Sequence, residues 1–268
     1  MKIKHFSLIV AFLVLLASCK SDFEKIRTSG DVDQIYQRAL NYYEEGEYLK
    51  AQTLFELVIG SFRGKPELEG LYMKYAYTFY QLERYILAAY YFKNFSNTFP
   101  NSEFREEADY MSAYSNYQLS PSFRLDQTNT NKAVEEFQLF VNTYPESERV
   151  SEANALIDQM RRKLETKAFD EGRLYYDLRQ YQAAMQSLDN LLKDFPETTD
   201  AEEVRYLIIR SNFLLAENSV VDKQQERYRE TIKRAERFLT RYDQSSFYNE
   251  VNTILKKSQR KIGGLATS

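Results

Sequence analysis

Ala88-Ala89-Tyr90-Tyr91-Phe92-Lys93-Asn94-Phe95-Ser96-Asn97-Thr98-Phe99-Pro100 decides the fold. Ala88, Phe92 and Phe95 stand at i, i+4 and i+7 and share one helical face. Phe99-Pro100 ends that helix, because proline has no amide hydrogen to continue the ladder. The arrangement recurs outward in both directions, as Ala51, Phe55, Val58, then Ala133, Phe137, Phe140 before Tyr144-Pro145, then Ala184, Leu188, Leu191 before Phe195-Pro196. A second series of small residues, Ala39, Ala76, Ala113 and Gly172, marks a preceding helix in each unit. The paired marks are 12 residues apart in the first, second and fourth units and 20 in the third. Small residues on two antiparallel helices let the backbones approach closely, and turns such as Glu45-Gly46-Glu47 and Leu178-Arg179-Gln180 join them.

Paired small residues, aromatics on both helices and a terminal proline are the pattern of the tetratricopeptide repeat, whose unit is about 34 residues. A weaker fifth unit carries Ser211 and Thr231, with Ala235, Phe238 and Tyr242-Asp243 in the later positions, and a closing helix is expected from Phe247 to Arg260. The expected fold is all-α: a right-handed superhelical solenoid of about five tetratricopeptide-like helix pairs plus a C-terminal capping helix. Stacked repeats of this kind present a concave wall made by the first helix of each pair.

Composition narrows the chemistry. The 268 residues include 22 Tyr and 18 Phe, no Trp, one His and one Cys. Both single residues, His5 and Cys19, lie in a stretch with a basic start, Lys2 and Lys4, and an apolar run from Phe6 to Leu16, which reads as a secretory signal. That run is too short to span a bilayer. Leu16-Ala17-Ser18-Cys19 has the form of a lipobox, in which Cys19 is acylated and becomes the first residue of the mature chain. Several acyl chains anchor a protein stably without a transmembrane helix. A mature chain without histidine cannot use His-based acid/base or nucleophile chemistry, nor a His/Cys zinc site. Lys2 and Lys4 leave with the signal, so the acidic excess widens from the three of the whole chain to five, and no basic face for nucleic acid is expected. No cofactor or metal is implied. The adjacent pairs Glu44-Glu45, Glu106-Glu107, Glu135-Glu136 and Glu202-Glu203 point about 100° apart on a helix, cannot flank one bond, and are expected to be solvated helix faces and helix starts.

Counting from the small residue of each first helix, the wall positions hold Tyr36, Leu40 and Tyr43, then Met73, Tyr77 and Tyr80, then Tyr110, Tyr114 and Tyr117. Tyrosines in such a row offer apolar faces with hydroxyl rims to an extended amphipathic segment. Each is otherwise a packing residue, as expected for Tyr42, Tyr72, Tyr75 and Phe79, and in the third unit Asp109 and Asn116 fall at nominal core positions. The third unit also contains a long loop, Ser120 to Asn131, with Arg124, Asp126 and Gln127 as candidate functional residues.

The lipobox, the polar linker, the repeats with Phe/Tyr-Pro ends and the third unit interrupted by Arg124-Leu125-Asp126-Gln127-Thr128 together resemble the BamD family, over essentially the whole mature chain. Tyr144-Pro145-Glu146-Ser147, and Glu171-Gly172, Tyr175-Tyr176, Tyr181 and Ala183-Ala184 in the fourth unit, are similar to the family's as well. The resemblance implies a non-enzymatic lipoprotein on the periplasmic side of the outer membrane. Its amino-terminal repeats would hold β-barrel precursors, and its carboxy-terminal repeats would dock on the periplasmic domain of BamA. Ser187 stands where family members often carry an arginine that contacts BamA, which leaves Arg179 and Lys193 as docking candidates. The implied organisation is a signal at 1–18, a lipidated start and linker at 19–32, three units at 33–145, two units and the capping helix at 146–262, and a tail at 263–268. Two other classes fit the same residues: a different tetratricopeptide lipoprotein serving as an envelope adaptor or glycan/peptide-capture protein, and an enzyme using two carboxylates across a cleft.

Overall fold

The computed structural model describes residues 21–265; the signal, His5, Cys19 and the last three residues lie outside them. The described residues are all-α. A short helix α1 (Asp22–Arg27) precedes α2 (Val32–Glu44) and α3 (Tyr48–Val58), the latter followed by a 3-10 turn at Ile59–Phe62. Then come α4 (Leu68–Gln81), α5 (Tyr85–Thr98), α6 (Arg105–Gln118), α7 (Thr128–Thr143), α8 (Val150–Asp177), α9 (Tyr181–Asp194), α10 (Ala201–Glu217), α11 (Val221–Arg241) and α12 (Tyr248–Leu265). The chain divides into two compact units, one running to Pro121 with Thr128–Ile157, the other comprising Ser122–Gln127 and the chain from Asp158.

The helix pairs form for the reason the spacing implied. All twelve residues of the four repeated trios are at most 1% exposed, and Ala39, Ala76 and Ala113 are wholly buried. Gly172 faces Leu188 so closely that an added Cβ would lie 2.4 Å from its Cδ2 and 2.6 Å from its Cγ. Three of the turns between partners use one device. Gly46, Glu83 and Arg179 all adopt positive φ, of 78°, 57° and 60°. The following amides of Glu47, Arg84 and Gln180 donate to the carbonyls of Tyr42, Phe79 and Tyr175, each at 2.8–2.9 Å. This is a helix stop that satisfies carbonyls otherwise left without donors.

Several boundaries differ from the expected ones. The linker contains α1, which Ser21 caps through the amide of Glu24 and whose Phe23 ring meets Tyr42 edge-on at 6.0 Å. The division between units falls within the uninterrupted helix α8, at 157/158, instead of at 145/146. The capping helix starts at Tyr248 and continues through Gly263-Gly264 to Leu265, so the tail is helical at its start; glycine weakens a helix by about 1 kcal/mol per residue without obliging it to end. The 20-residue spacings have two causes. In the third pair Leu119–Gln127 is a loop, whereas in the fifth only 218–220 separate α10 from α11, and the extra length is helix.

Candidate functional site

The expected wall lies in the first unit, on α2, α4 and α6. Tyr36, Tyr43, Tyr77, Tyr80, Tyr114 and Tyr117 are half-buried. Tyr36 leans on Phe62 at 4.7 Å between ring centres. Tyr43 is set by Tyr48 at 5.6 Å and by Lys74, whose ammonium lies 4.6 Å from the ring centre and pairs with Glu44 at 3.2 Å. Burial, then the neighbouring Tyr48 and Glu44, push the Tyr43 phenol up to about 12. Tyr77 stands edge-on to Phe92 at 4.9 Å and donates its hydroxyl proton to Glu107, and burial with that bond raises its pKa further. Tyr80 contacts Tyr114 at 6.2 Å, and Tyr114 contacts Tyr117 at 5.6 Å, making a continuous row across α4 and α6.

Tyr110 differs from the other six. It is 3% exposed, stacked on Tyr114 at 5.8 Å, with Phe137 and Phe140 on its edge and the Arg149 guanidinium 4.6 Å from its ring centre. It supports the wall from within the core and does not line it. Tyr42, Tyr75 and Phe79 are buried, as packing positions should be, and Tyr72 is half-buried.

The loop of the third unit is shorter than expected, because Thr128 already opens α7. Arg124 and Asp126 are exposed, the Arg124 guanidinium lying 5.0 Å over Phe123. Gln127 has turned inward, 5% exposed. Its amide donates to the carbonyls of Ser122 at 2.9 Å and Leu125 at 3.0 Å, and Lys167 of α8 donates to the same Leu125 carbonyl at 3.0 Å. Gln127 therefore shapes the loop from inside. A cleft of about 570 Å³ opens beside it, bounded by Phe123, Arg124, Lys167, Arg173 and Leu174.

The two docking candidates are exposed and flank α9 at opposite ends, about 20 Å apart at 1.5 Å per residue. They form no common patch, and Arg179 is engaged in the positive-φ turn. Ser187 is half-buried and lines a separate cleft between α8 and α9 with Glu171, Tyr175 and Asn190.

The pairs Glu106-Glu107 and Glu202-Glu203 do open helices, as expected, but the solvated reading needs correction, since Glu106, Glu136 and Glu202 are tied down and half-buried. Glu106 accepts from Ser147 and Glu202 from Ser245, each at 2.5 Å. In both cases the serine lies three residues after the aromatic that closes a helix, and its oxygen also accepts an amide two residues on. Glu136 accepts from Ser112 at 3.1 Å and from the buried Asn116 at 2.8 Å. Asp109, at a nominal core position, accepts the Tyr144 hydroxyl at 2.8 Å. The serine-to-glutamate clasp was missed, although the recurring aromatic-x-x-Ser motif is a visible signal for it. Among the described residues no cluster of His, Cys, Asp or Glu is arranged to hold a metal ion, and no helix is long and apolar enough to cross a membrane.

The family described as YfiO, outer membrane lipoprotein, matches residues 28–211 and 173–263, covering both units. The chain belongs to the YfiO family of outer membrane lipoproteins. Two curated relatives agree with this membership. The outer membrane protein assembly factor BamD of Rickettsia prowazekii (strain Madrid E) is 21% identical over 212 residues, 79% of this chain and 84% of the relative. The putative outer membrane protein assembly factor BamD of Aquifex aeolicus (strain VF5) is 25% identical over 226 residues, 83% and 72% of the two chains. Among solved structures, the tetratricopeptide domain of P58(IPK) aligns with 16% identity and a TM-score of 0.42, over 91% of this chain and 71% of that one.

Proposed function

We propose that this chain is a non-catalytic lipoprotein scaffold of outer-membrane β-barrel assembly, anchored through Cys19 on the periplasmic side. The first unit receives β-barrel precursors along the tyrosine row, and the second docks on the periplasmic domain of BamA. The observation that carries the reading is the family match across both units, together with two relatives named as BamD assembly factors. The half-buried rings of Tyr43, Tyr77 and Tyr80 support it, since aromatic faces with a hydroxyl rim suit an amphipathic strand. A weak groove is sufficient when a lipid anchor and a second contact hold both partners at one surface, because effective concentration then multiplies the affinity.

Affinity purification of the solubilised protein tests the assignment. BamA recovered in stoichiometric amount is the expected result, and a preparation free of BamA would point to an envelope adaptor. Site-specific crosslinking tests the groove: replacing Tyr43, Tyr77 and Tyr80 with alanine should reduce crosslinks to precursors while helicity by circular dichroism is retained. Unchanged crosslinking would remove the tyrosine row from the reading.

A further inference from the structure

In the second unit, a cavity of about 180 Å³ opens between α10 and α11, lined by four arginines, Arg205, Arg234, Arg237 and Arg241, together with Phe238 and Tyr242. No carboxylate lines it. Arg234 is already paired, bidentate to Asp189 at 3.0 and 3.1 Å and through Nε to Glu230 at 2.8 Å. The other three have no ion pair among the described residues. Arg237 and Arg241 are exposed. Arg205 holds its Nε buried without a hydrogen-bond partner among the described residues, a donor that ordered water or a ligand's acceptor would satisfy.

Size and spacing restrict that acceptor. Arg234, Arg237 and Arg241 stand at i, i+3 and i+7 on one face of α11, a row about 10 Å long, longer than a single phosphate. The cavity is close to the roughly 150 Å³ that holds a benzene-sized group, room for one apolar side chain and too little for the acyl chains of a lipid. Guanidinium forks match carboxylates bidentately. We propose that the α10–α11 cavity docks an acidic segment of a partner protein, which places one apolar side chain between Phe238 and Tyr242 and gives its flanking carboxylates to Arg205, Arg237 and Arg241. This surface is distinct from the tyrosine row and from Arg179 and Lys193, and its existence does not depend on which protein the second unit docks.

A fluorescein-labelled pentapeptide of sequence Glu-Asp-Phe-Glu-Asp, titrated against the purified full chain and followed by anisotropy, tests the proposal. Saturable binding is expected, weakened on the order of ten-fold or more in the Arg237→Gln/Arg241→Gln variant and reduced by raised salt. The amide analogue Gln-Asn-Phe-Gln-Asn should not bind. Arg237 and Arg241 are exposed, so the variant should melt as the wild type does; Arg205→Lys, which keeps the charge and loses the fork, provides a second readout. Equal binding of peptide to wild type and variant would overturn the proposal. So would arginine-dependent binding of phosphatidylglycerol vesicles without peptide binding, or competition by inorganic phosphate alone.

Discussion

A methyl group at position 172 has nowhere to go, because Leu188 of α9 already fills the space it would need. Gly172→Ala should therefore lower stability by about 1–3 kcal/mol, the usual cost of overpacking, read as a drop in thermal midpoint. Combining it with Leu188→Ala should recover part of the clash while exposing the cost of a lost leucine. The opposite sign is expected at Glu83 and Arg179, whose positive φ disfavours any residue with a Cβ. Glycine at either site should raise stability by about 1 kcal/mol, measured by urea denaturation. Both residues sit in turns, and the turn at Arg179 was legible as a turn. Its φ was not, since Gly46 announces a left-handed conformation by its identity while Glu83 and Arg179 adopt the same one silently. The alanine and phenylalanine trios were readable because helical period alone places them on one face. Tyr110 was misplaced because one face of α6 serves both wall and core, and periodicity cannot tell how deep each ring sits.

At the scale of the element, α6 and α7 are held by a polar contact inside an aromatic core. Ser112 and the buried Asn116 both reach Glu136. Asn116→Leu removes one donor from a half-buried carboxylate, and a loss of about 1–3 kcal/mol is expected from the group left short of partners, measured by denaturant titration. This contact and the serine clasps on Glu106 and Glu202 were not legible as such: the partners lie 20 to 43 residues away in sequence, and adjacent glutamates on a helix resemble ordinary solvated charge. The loop before α7 depends on one side chain. Gln127→Ala should free Ser122–Leu125 and speed tryptic cleavage after the exposed Arg124, with helicity by circular dichroism little changed. An unaltered cleavage rate would show that Lys167 alone suffices to hold the loop.

For the whole molecule, the tyrosine content shapes the response to pH. His5 is the one histidine, so stability should change little between about pH 6 and 9, where imidazole otherwise titrates. Above that range the phenols matter. Burial, in two cases joined by a bond to Asp109 or Glu250, pushes Tyr43, Tyr144 and Tyr206 up to about 12 from an ordinary 10.0. Between those values the unfolded chain has released protons that the folded chain still binds, so the stability they contribute, complete below pH 10, is lost as pH rises toward 12. Chemical denaturation at stepped pH should show a plateau followed by this decline, and Tyr206→Phe should shrink it. The order of synthesis imposes a different constraint on the loop. In a chain that emerges amino terminus first, Leu125 appears 42 residues before the lysine that grips its carbonyl. The flanking helices α6 and α7 are complete by Thr143, so the loop between them exists before its latch does and stays open to proteases until Lys167 arrives to close it.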